Sequence, residues 1–314
     1  MKILNICSGA VGAYFCGRLA QSGNEVAVTV RSDRDLVAAK GFDIKSINGD
    51  FIFRPAAVLN NASEYKDHAD FIILTSKVLP EADMINLIAP AVKPGTVIAL
   101  IQNGINIENA IAEAFPENEV LSCITYIGVT RVAPGALEHK GGGRVIIGKY
   151  PNGSSESARK LCKLFEDASV TAETTEDIAF YRWKKLLWNV PYNAMSVLGG
   201  GLLTGEMTQR DELEDISGKL MQEVILTARA CGVNLPENLV EENIEYTRNF
   251  PPYKTSMLID CENNRPLEVD AIVGNVVKIA RKHNIAVPHL ETIYALLQAF
   301  DRHRRNTGVY DRKK

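Results

Sequence analysis

The N-terminal third of the chain alternates between two hydrophobic patterns. Short runs rich in Ile, Val and Leu, typical of strands buried on both faces, lie at residues 2–7, 25–30, 71–75 and 97–101. Stretches that read as helices separate these runs, at residues 10–22, 79–91 and 105–114. Strands that alternate with helices in this way predict a doubly wound parallel sheet in an α/β domain.

The pattern changes further along the chain. Residues 121–148 are strand-rich, with turn signals at residues 134–135 and 141–143, and a helix at about 154–167 and a short strand at 170–173 follow. Long helical stretches then lie at about 177–198, 208–231, 236–249, 269–283 and 289–303. We therefore predict an α/β domain at residues 1–174 and an all-helical domain at residues 175–314.

Composition agrees with two globular domains. The chain has 314 residues, of which 46% are hydrophobic and 23% charged. The net charge of −3 gives no reason to expect a nucleic-acid partner. No apolar run approaches the roughly 18 residues of a membrane span, and the apolar run after Met1 is too short for a signal peptide. We expect a soluble, cytoplasmic protein without a membrane partner.

The cysteines and histidines do not form a recognisable metal motif. The six cysteines lie far apart without a C-x-x-C pair, and the five histidines include no H-E-x-x-H. Reduced, mostly buried thiols are the expectation for such a chain. We predict neither a disulfide framework nor a metal site.

A glycine-containing turn follows the first predicted strand and opens the first predicted helix. It stands where the dinucleotide fingerprint G-x-G-x-x-G belongs, and it reads Cys7, Ser8, Gly9, Ala10, Val11, Gly12. Gly9 and Gly12 keep two roles, namely close approach of the pyrophosphate and close packing of helix on strand. Cys7 replaces the first glycine, whose role is the tight turn. The segment predicts a cofactor-binding loop in a Rossmann-type domain.

The residue after the second strand indicates which dinucleotide binds. Arg31 stands where an NAD-binding domain usually has Asp or Glu to accept the ribose 2′-hydroxyl. Its guanidinium suits a 2′-phosphate instead, so NADP is favoured. Asp33, two residues later, leaves NAD open as the alternative.

Further polar residues follow the third and fourth strands or share one helical face. Lys77 and Asn103 lie just beyond two parallel strands, at the ends where ligands bind in such sheets. Lys185, Asn189 and Asn193 are spaced i, i+4, i+8, so an amine and two amides share one face among apolar residues.

At this point the chain resembles the ketopantoate reductase (2-dehydropantoate 2-reductase) family, nearly end to end. The resemblance rests on the fingerprint at 7–12, Arg31, Lys77, Asn103-Gly104, the W-x-K-L…N…N helix at 183–193, S-M-L-x-D at 256–260 and L-E-V-D at 267–270. It implies a Rossmann domain joined to a helical domain. It also implies NADPH-dependent reduction of the ketone of a small 2-oxo acid, 2-dehydropantoate, to pantoate in pantothenate biosynthesis.

The resemblance also implies residue roles. Lys185 corresponds to the proton donor and Glu268 to the residue that holds the hydroxyl end of the substrate. Asn189, Asn193 and Ser256 are similar to substrate-binding positions. Lys77 and Asn103 correspond to positioners of the cofactor, and Asn103 also of the substrate. A lysine in an apolar setting has a lowered pKa, which suits it to protonate the developing alkoxide.

Simpler explanations of these residues stay open. Asn189 and Asn193 could satisfy buried backbone groups, because Pro191 removes a helix donor nearby. Glu268 could be a carboxylate favoured at a helix start, and Ser256 could merely stabilise its own helix.

Alternative functions also stay open. Where some relatives have an N-G-E segment, this chain has Thr204-Gly205-Glu206, so another small 2-oxo acid is an alternative substrate. A non-catalytic NADP-binding protein is a weaker alternative, because it has no need of a proton donor. A homodimer is compatible with the extensive helical region.

Overall fold

The computed structural model describes residues 1–310, which divide into two compact units. The first unit comprises Met1–Lys77, Ala82–Gln102 and Ile107–Ile178. The second comprises Val78–Glu81, Asn103–Asn106 and the chain from Ala179 onward. Two short segments from the N-terminal half of the chain thus belong to the second unit, which the sequence analysis did not predict.

The first unit is built around one sheet, which has ten strands in the described part of the chain. In chain order these are β1 (Lys2–Ile6), β2 (Glu25–Thr29), β3 (Phe42–Ser46), β4 (Phe51–Phe53), β5 (Ala57–Leu59), β6 (Phe71–Leu74), β7 (Val97–Leu100), β8 (Val120–Ala133), β9 (Ala136–Lys149) and β10 (Ala172–Thr174). The order across the sheet is β4-β3-β9-β8-β7-β6-β1-β2-β5, with β10 beside β9.

The helices of this unit have between 5 and 12 residues. They are α1 (Ala10–Gln21), α2 (Arg34–Lys40), α3 (Met84–Ile88), α4 (Asn109–Ala114) and α5 (Glu156–Asp167), with 3-10 turns at Ala62–Glu64 and Ala89–Ala91.

The run from β8 through β7, β6, β1 and β2 to β5 is parallel throughout. Leu4 of β1, for example, lies opposite Ala27 on one side and Ile72 on the other. Almost every residue of β1, β2, β6 and β7 is buried, as the continuous apolar runs predict. The predicted α/β fold with a parallel sheet is confirmed.

The parallel run is extended by strands of mixed direction. β8 and β9 form a long antiparallel hairpin, β3 lies parallel to β9, and β4 lies antiparallel to β3. The strands β3 to β5 are absent from the sequence prediction. These strands are short, and many of their residues are exposed or only partly buried. They therefore lack the continuous apolar run that marks the central strands.

Two predicted helices of the first unit begin four or five residues later than expected. The helix predicted at 79–91 starts at Met84, where the Asp83 side chain accepts the N–H of Asn86 at 3.0 Å as a helix cap. The helix predicted at 105–114 starts at Asn109. In both cases the missing residues overlap a segment of the second unit, Val78–Glu81 or Asn103–Asn106, whose backbone bonds to that unit instead.

The second unit is helical, as predicted. Its helices are α6 (Ile178–Leu198), α7 (Thr204–Met207), α8 (Asp211–Ala230), α9 (Leu239–Asn249), α10 (Ser256–Glu262), α11 (Asn275–Lys282) and α12 (Pro288–Asn306), with a π-helical turn at Asp270–Gly274 before α11. Its core is formed by buried residues of α6, α8, α11 and α12 and of the π-turn. None of the helices within residues 1–310 combines the length and the apolar character needed to cross a bilayer.

Candidate functional site

The turn after β1 holds Cys7 in a left-handed conformation, with φ of +60°. This region favours glycine, and a residue with a side chain pays about 1–2 kcal/mol there. The Cys7 N–H donates to Thr29 Oγ1 at 2.8 Å, and its carbonyl accepts from Thr75 Oγ1 at 3.1 Å. The first fingerprint position therefore keeps the backbone shape of the tight turn although the residue is cysteine.

A side chain would meet different surroundings at Gly12 and at Gly9. A Cβ on Gly12 would lie 2.4 Å from Thr75 Oγ1 and 2.6 Å from Asn5 Oδ1, so α1 could not approach the strands so closely. A Cβ on Gly9 would have the Cys7 carbonyl oxygen, 4.0 Å away, as its nearest neighbour. Gly9 is exposed, and the start of α1 beside it is open to a ligand.

The start of α1 fits an anionic group such as a dinucleotide pyrophosphate. Ala10 and Val11 contribute the first N–H groups of the helix, which have no acceptor within it, and Gly9 provides no side-chain cap. Ser8 Oγ is buried and has no hydrogen-bond partner among the described residues. A phosphate oxygen would satisfy this hydroxyl.

Arg31 and Asp33, the two residues after β2 that could contact the ribose of the cofactor, have different surroundings. Arg31 is exposed, and its side chain makes no hydrogen bond or ion pair within the described chain. Asp33 is buried, with 8% of its surface exposed. Its carboxylate pairs with Arg131 and accepts the N–H of Gly135 at 2.9 Å. The Asp33 carboxylate, which could have accepted the ribose hydroxyl of NAD, is therefore already bound by groups of the protein itself.

Arg31 is electrostatically coupled to the turn at residues 7–12. Burial raises the pKa of the Cys7 thiol, and the positive charge of Arg31 opposes that shift. The arginine and the fingerprint turn therefore belong to one region of the first unit.

Lys77 lies just beyond β6, partly buried, in the first unit. The ends of β6 and β7 are joined there by Gln102, whose Nε2 donates to the Ser76 carbonyl at 2.8 Å. Asn103, the next residue, is already part of the second unit. Lys77 thus lies at the carboxyl edge of the sheet, where the sequence places it.

Lys185 lies on α6 among buried residues and points its amine at Asn103. Its Nζ donates to Asn103 Oδ1 at 2.8 Å. Burial lowers the pKa of the Lys185 ammonium to about 7, the positive charge of Arg182 adds to this shift, and the carboxylate of Glu268 opposes it. The ammonium therefore gives up its proton more readily than that of an ordinary lysine.

The segment that presents Asn103 is fixed by backbone contacts. Arg182 Nη1 donates to the Gly104 carbonyl at 3.0 Å, and the Ile105 N–H donates to the Ala271 carbonyl at 3.1 Å. Gly104 has φ of +104°, and a Cβ on it would lie 2.5 Å from the Ala271 carbonyl oxygen. Only glycine fits at this point, directly beside the residue that holds the lysine.

Glu268 lies just before the π-helical turn Asp270–Gly274, a kind of irregularity often found at functional sites. The residue is 9% exposed, and its Oε1 accepts the N–H of Val78 at 2.9 Å. Because its charge also acts on Lys185, the second unit brings Lys185, Asn103 and Glu268 into one polar cluster.

The two amides on α6 differ in their surroundings. Asn193 is 1% exposed; its Nδ2 donates to the Asn189 carbonyl at 2.8 Å. Its Oδ1 accepts from Ser256 Oγ at 3.2 Å and from the Met257 N–H at 3.1 Å. The Asn189 side chain makes no hydrogen bond within the described chain. Asn193 thus satisfies buried backbone groups and holds Ser256, while the Asn189 amide is unused.

Sequence reasoning missed Arg131, Arg182 and the Val78 N–H. Arg182 adjoins the recognised W-x-K-L segment, and its spacing of three residues from Lys185, on the same face of a helix, is the signal that could have found it. Arg131 and Val78 have no comparable signal, because they act through residues distant in sequence. No group of three or more metal-ligating side chains occurs between Met1 and Tyr310.

The chain matches known proteins along most of its length. Residues 3–152 match the family described as Ketopantoate reductase PanE/ApbA, and residues 177–301 match Ketopantoate reductase PanE/ApbA C terminal. A 2-dehydropantoate 2-reductase of Nostoc sp. is 30% identical over 306 residues, covering 96% of this chain and 95% of that protein.

Solved structures agree with these sequence matches. The 2-dehydropantoate 2-reductase from Methylococcus capsulatus is 44% identical, with a TM-score of 0.91 over 97% of this chain and 98% of that one. The structure of D-mandelate dehydrogenase with NADH and anilino(oxo)acetate shares the fold, with a TM-score of 0.87 at 24% identity over 97% of this chain and 100% of that one.

Proposed function

The chain belongs to the ketopantoate reductase family of NAD(P)-dependent oxidoreductases, and on that premise we propose that it reduces 2-dehydropantoate to pantoate with NADPH, a step of pantothenate biosynthesis. The observation that carries the proposal is the cluster of Lys185, Asn103 and Glu268. It combines a proton donor titrating near neutrality with an amide that orients it and a buried carboxylate.

Lys185 is the proposed proton donor. NADPH, when bound, supplies the hydride that reaches the carbonyl carbon of the substrate. The negative charge that develops on the carbonyl oxygen is stabilised by the Lys185 ammonium, which then donates its proton from Nζ. The product is the alcohol, and the neutral amine regains a proton from solvent. Asn103 Oδ1 accepts a hydrogen bond from Nζ and so orients the amine before the transfer.

The first unit supplies the proposed cofactor site. Ser8, Gly9 and the N–H groups of Ala10 and Val11 would hold the pyrophosphate, and Gly12 keeps α1 close to the strands. Arg31 would pair with the 2′-phosphate, which favours NADPH over NADH. Lys77, at the carboxyl edge of the sheet, would position the nicotinamide half.

Substrate contacts are assigned to the second unit. The unused Asn189 amide and the exposed Ser256 hydroxyl are the polar groups available to the substrate, and Glu268 would accept from its hydroxyl end. Asn193, buried and bonded to backbone, acts by positioning Ser256 rather than by touching the substrate.

One observation favours another 2-oxo acid as a second candidate substrate. Thr204, which replaces an asparagine found in some relatives, is fully buried, and its hydroxyl accepts the Tyr253 N–H at 3.1 Å. This position therefore offers no amide to the substrate.

We also propose that the protein is cytoplasmic and forms a homodimer.

The proposed reaction is tested by following NADPH absorbance with 2-dehydropantoate and a panel of other 2-oxo acids. We expect kcat/KM for 2-dehydropantoate to exceed that of every other acid in the panel. Preference for another acid would favour the second candidate. No turnover with any acid, in a protein that binds NADPH, would favour a non-catalytic binding protein.

The proposed proton donor also predicts how the reduction depends on pH. Because only the ammonium form donates a proton, kcat should fall as pH rises above the lowered pKa of Lys185, which is about 7. Well above it the fall should approach about tenfold for each pH unit. Replacing Arg182 by glutamine removes a positive charge that lowers this pKa, so the falling limb should move to higher pH. A limb that stays in place in Arg182→Gln would contradict the assignment.

A further inference from the structure

Arg131, in β8, reaches the residues that follow β2. Its Nη2 forms an ion pair with Oδ1 of Asp33, and its Nη1 donates to Ser32 Oγ at 3.2 Å. The other Asp33 oxygen accepts the N–H of Gly135, 2.9 Å away, in the turn between β8 and β9. Groups of the first unit therefore occupy both oxygens of this carboxylate.

The charge of Asp33 matters because of its place in the fold. An acid near the end of the second strand is the usual acceptor for an unphosphorylated ribose, and an uncompensated one repels a phosphate. Asp33 is largely buried and has its charge balanced by Arg131. The pair therefore removes the feature that would favour NADH at this site.

The same arrangement collects hydrogen-bond donors. Arg31 and Ser32 are exposed, and the Arg131 side chain is 37% exposed and bonded to the Ser32 hydroxyl. A phosphate group offers three acceptor oxygens, which arginine forks and hydroxyls recognise well. The three residues come from two distant parts of the sequence and meet beside the end of β2.

We propose that Arg131 is a second determinant of cofactor choice. It neutralises Asp33 and, together with Ser32, presents donors beside Arg31 to the 2′-phosphate of a phosphorylated adenine dinucleotide. This inference rests on the proposed function, which assigns NADPH.

The test compares binding of adenosine 2′,5′-bisphosphate and AMP to the full chain by isothermal titration calorimetry. These ligands differ only in the 2′-phosphate, and their binding is measured without turnover. Arg131→Ala should weaken bisphosphate binding by about tenfold or more, the loss expected for a charged hydrogen bond. Binding of AMP should stay close to the wild-type value.

A second variant separates cofactor choice from simple support of the hairpin. Asp33→Asn leaves the Arg131 charge uncompensated, so bisphosphate binding should become about threefold tighter while AMP binding is unchanged. If the pair only braced the hairpin, both variants would weaken both ligands alike. The opposite signs of the two effects on the bisphosphate are thus specific to the proposal.

Two further variants serve as controls. Arg144→Ala breaks an exposed ion pair with Glu173 on β9 and β10 and should leave the ratio of the two affinities unchanged. Arg31→Ala should lower the ratio. A ratio that stays at the wild-type value in Arg131→Ala, or that falls in both Arg131→Ala and Asp33→Asn, overturns the inference. A wild-type protein without preference for the bisphosphate overturns the NADPH assignment and the inference with it.

Discussion

Lys185→Met is expected to lower kcat by about 10²- to 10⁴-fold, the range for loss of a general acid. Methionine keeps an unbranched apolar side chain beside the buried residues of α6 but removes the charge, the transferable proton and the hydrogen bond that Nζ donates to Asn103 Oδ1. NADPH should still bind, because most residues assigned to the cofactor lie in the first unit. Steady-state turnover and NADPH fluorescence titration measure the two effects separately.

The adjacent lysine is the matched control for this variant. Lys184 and Lys185 point about 100° apart on the helix. The Lys184 side chain makes no hydrogen bond or ion pair in the part of the chain that the structure describes. Lys184→Met should therefore have nearly wild-type turnover. An inactive Lys184→Met beside an active Lys185→Met would reverse the face assignment of α6 and with it the proposed role of Asn189.

Gly104→Ala is expected to reduce kcat by about 100-fold, because displacing a positioning group by about 1 Å has an effect of that size. The new Cβ would lie 2.5 Å from the Ala271 carbonyl oxygen, so the segment Asn103–Asn106 must shift. The shift displaces Asn103, which orients the Lys185 amine. Turnover and thermal unfolding are measured on the same preparation.

Gly95→Ala is the control for backbone strain alone. Gly95 also has a positive φ, +83°, but a Cβ there meets no heavy atom within 4 Å. The left-handed backbone destabilises the folded state of both variants by about 1–2 kcal/mol. Only Gly104→Ala should also lose turnover in the folded protein. If both variants lose turnover alike, or neither does, the contact with Ala271 has no role in positioning Asn103.

Much of the fold could be predicted from hydrophobic periodicity. The continuous apolar runs of β1, β6 and β7 mark strands covered on both faces, and their alternation with helices gives the parallel sheet. The strand β3, which lies between β4 and β9, was missed because only alternate residues are buried there and the run is short. Strand prediction thus succeeded for strands that are buried on both faces and therefore consist of apolar residues throughout.

Some features of the candidate site could likewise be predicted from the local sequence, and others could not. Gly12 and the i, i+4 spacing of Lys185 and Asn189 could be read locally, because a helix places such residues on one face. The starts of α3 and α4 could not be read, since the residues before them bond to the second unit. The hydrogen bonds of Asn193 to Met257 and Ser256 could not be read either, because they join residues more than 60 positions apart in sequence.

The sequence by itself determined the two kinds of domain, the fingerprint turn and the lysine face of α6. Only the tertiary structure decided which polar groups meet: Lys185 with Asn103, 82 residues apart, Arg131 with Asp33, 98 apart, and Glu268 with the Val78 N–H, 190 apart. The physical reason lies in the range of the interactions. Periodic burial constrains neighbours in sequence and so leaves a pattern along the chain. A polar contact between distant segments depends on how the chain folds back and leaves no such pattern.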